Sequence, residues 1–142
     1  ETFRALLDPI LKNEADHVVG KVVYRTGELP RLTTFLASPL LEQVVPSLAA
    51  VVTSALSGIR ASRKQYLFPE QLDPRCCMIG MTLDAWHAGA RMKEVEIPPI
   101  TNPHRVDQVK RRRAQWVFGA AWRRFVAWGI LEVHQENLVP RV

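Results

Sequence analysis

Asn102-Pro103 reads as a helix start, an asparagine cap followed by a proline at the first helical position, and nothing after it breaks the helix until Gly129. It is the longest element the sequence predicts; the other nine prolines cut most of the remaining chain into shorter pieces. Between residues 104 and 124 stand seven cations, Arg105, Lys110, Arg111, Arg112, Arg113, Arg123 and Arg124, against Asp107 alone. That is +6 in a chain whose net charge is +5, so the basicity belongs to one helix. Arginine outnumbers lysine 14 to 5, and guanidinium groups make bidentate contacts and stack on planar partners, which points to a recognition surface.

The 142 residues are enough for one domain with a sizeable core, and 47% hydrophobic with 23% charged residues matches ordinary soluble globular composition. No apolar run reaches the ~18 residues that span a bilayer, the best being LAAVVTSALSGI at 48–59, so no membrane partner is expected. The first residue is Glu1 and element signals begin at once, which suggests a fragment excised from a larger protein. Cys76 and Cys77 are adjacent, and neighbours in sequence rarely meet disulfide geometry. Two buried, inert thiols and an intracellular home, nuclear or cytoplasmic, follow. No metal or cofactor is expected, because the cysteines with His87 and His104 match no familiar ligand spacing.

Along the chain, Phe3, Leu6, Leu7, Ile10 and Leu11 have the spacing of an amphipathic helix, which Asp8-Pro9 should bend or divide. Residues 26–30 (TGELP) form a turn, 32–36 a short helix, and Ser38-Pro39 a capped helix start. Val45-Pro46 breaks that run before a central helix reaching about Arg60, whose basic tail RASRKQ suits a helix C-terminus. Residues 67–74 are a loop and 82–92 a helix; Val95 and Ile97 then alternate with Glu94 and Glu96 as a half-buried strand ended by Pro98-Pro99. Beyond Gly129, ILEVH at 130–134 and LVPRV at 138–142 flank a turn as a β-hairpin.

On the long helix, Val106, Ala114, Val117, Phe118, Ala121, Phe125 and Trp128 share one apolar arc with Trp122 at its margin, and these are the expected core anchors. Trp116 projects from the opposite, arginine-bearing side. It is either a contact for a partner or a covered ring with arginines laid over its faces.

The helix DQVKRRRAQWVFGAAWRRFVAWG followed by the hairpin ILEVHQENLVPRV resembles the end of a winged-helix domain, in which a recognition helix precedes two strands joined by a wing. The expected fold is therefore mainly α, one domain over residues 1–142, with a helical part at 1–92 and a winged-helix-like part at 93–142 carrying a small antiparallel sheet. The resemblance implies nucleic-acid binding by backbone and shape, with Lys110, Arg111, Arg112, Arg113, Arg123 and Arg124 on phosphates and Arg141 adding a contact from the hairpin. The alternative is an assembly domain that docks an acidic protein on the same helix, with Trp116 as its anchor. No enzyme is expected: the histidines at 17, 87, 104 and 134 are scattered, Glu94 with Glu96 and Glu132 with Glu136 have no partner, and there is no P-loop or nucleophile elbow.

Overall fold

A computed structural model of the chain describes residues 1–101 and 107–131. Its centre is a strand that the hydrophobic pattern concealed. HVVGK forms β1 (His17–Lys21), with His17, Val18 and Val19 wholly buried. A strand covered on both faces reads as an apolar run without alternation, and this one runs on into Val22 and Val23. β1 pairs antiparallel with β2 (Arg60–Ser62) and parallel with β3 (Met92–Glu96), giving a mixed sheet in the order β2-β1-β3. The close fit around β1 shows at Gly20, where a Cβ would meet the Ile59 carbonyl and the Ile97 side chain at 3.1 Å.

Successive side chains of β1 point to opposite faces and so serve two cores. Val18 packs with Leu6 and Ala15 beneath α1 (Thr2–Leu11). Val19 packs on the other side with residues of α2 (Ser38–Val44), α3 (Pro46–Ala49), α4 (Cys77–His87) and α5 (Asp107–Ala127). α1 runs unbroken through Pro9, contrary to the expected division at Asp8-Pro9, and ends at Leu11; two residues on, Asn13 takes the left-handed conformation asparagine tolerates at φ 60°.

The expectation of a mainly α, winged-helix-like domain with an antiparallel sheet at its C-terminal end is corrected: the sheet is mixed and assembled from three distant segments. The helix expected to reach Arg60 stops at Ala49. Its backbone is claimed by other partners. Thr53 and Ser54 donate their N–H groups to the Glu94 carboxylate at 2.8 and 2.7 Å, and the Thr53 hydroxyl donates to it at 2.6 Å. The Arg60 guanidinium donates to the carbonyls of Ala55 and Ser57 at 3.2 and 2.9 Å, and to the Thr82 hydroxyl at 3.0 Å. Glu94 thus has the partners that its sequence spacing does not reveal. Ser38 caps nothing; the helical path already runs through Ala37, and the Ser38 hydroxyl donates to the Thr53 carbonyl. α4 begins at Cys77, ahead of the expected Thr82.

α5 runs unbroken to Ala127 as expected, while its expected start at Asn102-Pro103 lies outside the described residues; its buried side is rotated from the arc drawn on the sequence. Val117, Ala120, Ala121 and Phe125 form the seam, whereas Phe118 is 43% exposed and Trp122 40%. Alanines let the helix approach α4 closely, so bulk does not mark the inward face. Trp128 stacks on His87, ring centroids 4.0 Å apart and nearly parallel. Gly129 at φ 70° closes the helix, with the Ile130 and Leu131 N–H groups donating to the Phe125 carbonyl. The hairpin expected after it lies outside the described residues, apart from Ile130 and Leu131. Among the described residues no helix is long and apolar enough to cross a membrane.

Candidate functional site

A cleft of about 410 Å³ opens on the side of the sheet that carries α4 and α5. Residues 30–33, the 54–59 loop, the start of α4, and Lys110, Arg113 and Val117 of α5 enclose it. The same interactions that stop the expected helix shape this wall. Glu94 holds Ser54, whose hydroxyl accepts from the Val22 N–H at 3.1 Å, and Arg60 holds Ser57, whose hydroxyl accepts from the Ile59 N–H at 3.1 Å.

The charge is one-sided. Arg31, Arg75, Lys110 and Arg113 line the cleft, and among the described residues no aspartate or glutamate does. The first residues of α4, Cys77 and Met78, are also in the wall, and this helix has no side-chain cap at its N-terminus. The unpaired N–H groups of a first helical turn carry partial positive charge, which adds to the four cations. Cys76 and Cys77 are unbridged and half-buried; burial foremost, then the neighbouring Cys77 and Asp73, pushes the Cys76 thiol upward. Behind the wall, His17 is fully buried with Nδ1 unpaired; burial, then the Arg60 charge, pushes it down to about 4.

The residues singled out in the sequence are divided by this geometry. Lys110 and Arg113 enter the cleft, while Arg111, Arg112 and Arg123 are exposed elsewhere on α5. Arg124 turns inward. Its Nε and Nη2 donate to the Asp84 carboxylate at 2.7 and 2.9 Å, Nη2 also to the Gln71 carbonyl at 2.9 Å, and Nη1 to the Ala120 carbonyl at 3.0 Å. Gly80 makes room for it, since a Cβ there would come within 2.6 Å of Nη2. Trp116 is half-buried, and the cation over its ring, 5.4 Å from the centroid, is Arg75 from the loop before α4. Arg141 lies outside the described residues. Sequence reasoning missed Arg31, Arg75 and the two thiols as lining residues, because loops far apart in the chain bring them together; the one local signal was Asp73-Pro74 ahead of α4.

No protein-family model matches the sequence, and no curated protein matches it. Solved structures do. The chain superposes on mannosyl-3-phosphoglycerate synthase from Rubrobacter xylanophilus with a TM-score of 0.78 at 23% identity, over 96% of this chain and 45% of that one. Glucosyl-3-phosphoglycerate synthase from Mycobacterium tuberculosis with Mg2+ and uridine diphosphate gives 0.71 at 23% identity, over 92% and 45%. The same synthase with Mn2+, uridine diphosphate and phosphoglyceric acid gives 0.72 at 23% identity, over 87% and 43%. The fold is therefore one found in glycosyltransferases, and the chain spans less than half the length of the structures it matches.

These likenesses overturn the winged-helix resemblance and what it implied. The matched proteins are sugar-transferring enzymes, the Mycobacterium tuberculosis one solved with a nucleotide, a phosphorylated acid and metal ions, so nucleic-acid binding, docking of an acidic protein partner on α5 and the expectation of no enzyme are all withdrawn. The central parallel pairing of β1 with β3 is what the winged-helix reading lacked. Among the described residues no three histidine, cysteine, aspartate or glutamate side chains gather in a way that could hold a metal ion.

Proposed function

We propose that the chain is part of a longer glycosyl-transfer enzyme and that its cleft holds a small phosphorylated acid of the phosphoglycerate class. The observation that carries this reading is the cleft itself: four cationic side chains and an uncapped helix N-terminus face one space that no described carboxylate enters. A phosphate ester brings close to two negative charges at neutral pH, and a carboxylate brings a third. Arg113 and Arg31 offer forked donors for such oxygens, Lys110 a compact point charge, and α4 its first-turn N–H groups. The volume is within the ~300–1,000 Å³ range of small-ligand sites. The fold neighbour solved with phosphoglyceric acid supports this substrate class.

The polar groups of the lining are cations, hydroxyls and thiols, so the role proposed for this chain is to bind and orient. Holding the acceptor hydroxyl against the sugar donor converts a bimolecular encounter into a positioned one. We place the protein inside the cell, where phosphorylated acids are available and where two unbridged cysteines are stable.

Calorimetric titration of the chain with 3-phosphoglycerate, beside glycerol as an uncharged control, tests the reading. Binding of the phosphorylated acid alone is expected, and joint Lys110→Gln and Arg113→Gln replacement should weaken it by about a hundredfold, the scale of two charge-assisted contacts. Equal affinity in the folded double variant would remove the cleft from the reaction.

A further inference from the structure

Arg75 stands at the rim of the cleft in a different condition from the other charges there. Its Nε and Nη2 form a fork on Asp73, with Nε 2.9 and 3.2 Å from the two carboxylate oxygens and Nη2 2.7 Å from Oδ2. Nη1 makes no hydrogen bond among the described residues. The Arg75 side chain is 60% exposed and so reaches water, and pairs with a solvent-exposed member are weakly held. Asp73 has further support that does not depend on the guanidinium: it accepts from the Arg75 backbone N–H at 3.0 Å and lies in the field of Arg123. The Trp116 ring lies beneath the guanidinium, its centroid 5.4 Å from Cζ. One arginine is thus bound by two partners, a carboxylate that can be replaced and a ring that need not move.

We propose that Arg75 is an exchangeable anion clamp, released from Asp73 to grip the phosphoryl group of the bound acid while Trp116 keeps the guanidinium over the cleft. This rests on the reading of the cleft given above and goes beyond it by assigning specificity to a side chain outside α5. A phosphoryl dianion outcompetes the Asp73 monoanion for the fork, whereas a singly charged carboxylate gains little by the exchange. Arg75 therefore selects phosphorylated acids over simple carboxylic acids. Asp73 acts as the built-in competitor, and its carboxyl, held down to about 2 chiefly by the Arg75 hydrogen bonds, moves back toward the ordinary range when the ligand takes its place. Trp116 is a positioning residue, acting only through Arg75.

The exchange predicts an unusual sign. Asp73→Asn keeps the oxygen that accepts from the backbone N–H but removes the competing charge, so it should tighten 3-phosphoglycerate binding about two- to fivefold, the range an exposed ion pair spans. Arg75→Gln should weaken binding at least about tenfold and abolish the preference over glycerate. Combining the two should give the Arg75→Gln affinity. Tryptophan emission should change on binding in the wild type and not in Trp116→Phe. If folded Asp73→Asn binds more weakly than wild type, Asp73 orients Arg75 and the exchange is wrong. If Arg75→Gln binds normally while the Lys110 and Arg113 variant does not, the cleft stands and the clamp falls. Absence of any binding by the wild-type chain overturns both.

Discussion

Two arginine–aspartate forks flank the start of the chain's α4 region, one buried and one exposed, and they differ in how firmly they are held. Arg124 on Asp84 is sunk between α5 and α4, with side chains 11% and 4% exposed, and its Nη2 and Nη1 also donate to the Gln71 and Ala120 carbonyls. Arg75 on Asp73 is at the cleft rim, with side chains 60% and 18% exposed and Nη1 without a hydrogen bond among the described residues. The distances are nearly the same. Burial makes the first a fixed part of the α4–α5 contact, because neither charge can leave without stranding the other in a poorly solvating interior. Exposure makes the second cheap to open.

The largest effect expected from this contrast is on the buried fork. Asp84→Ala leaves the Arg124 charge unpaired beneath α5 and should cost ~3–5 kcal/mol of stability in urea unfolding. A variant that unfolds within ~0.5 kcal/mol of wild type would show that Arg124 is not locked.

Next comes a buried base whose burial can be read by pH. His17 is held near 4 in the folded chain against an ordinary 6.5, so folding favours its neutral form. Its contribution is complete above pH 6.5 and is lost as the pH falls toward 4, amounting to ~3 kcal/mol at most. The Asp16 carboxyl, depressed by hydrogen bonds from Arg91, acts in the same direction at lower pH. Thermal melts of wild type and His17→Gln between pH 7 and 4.5 check this. The variant should lose the dependence in that window, and parallel curves would show that His17 does not titrate on unfolding.

Gly80→Ala is a subtler strike at the buried fork, since the new methyl meets the Arg124 guanidinium. A penalty of ~1–3 kcal/mol is expected, and Asp84 should lose part of its coupling to Arg124 in a double-mutant cycle. At the other end of the scale, Asp73→Asn should change stability by less than ~0.5 kcal/mol while altering anion affinity. A stability loss as large as that of Asp84→Ala would erase the contrast between the forks.

How much of this was legible follows the reach of each interaction. α1, the turn after Tyr24, the break at Val45-Pro46, β3 and the C-terminal limit of α5 were readable because their signals are local: periodicity, a proline, a glycine. β1 was not, since a five-residue strand buried on both faces offers neither alternation nor helical spacing. The 50–59 segment reads as a helix until Glu94, some forty residues away, takes its N–H groups. α5 misled for a different reason. Phe118, Trp122 and Val126 make an apolar stripe as regular as Val117, Ala121 and Phe125, and only the small alanines beside the second reveal which packs. Of the site, the cationic helix was visible but the two cations that enter the cleft were not distinguished from their neighbours, and Arg31 and Arg75 come from loops that only the fold brings near.

The most direct test of the account is a crystal structure of the chain with 3-phosphoglycerate. The phosphoryl group is expected within hydrogen-bonding distance of Lys110 and Arg113, facing the first turn of α4, with Arg75 turned from Asp73 toward it. A ligand seated instead on Arg111, Arg112 or Arg123, with the cleft unoccupied at saturating concentration, would contradict the central claim.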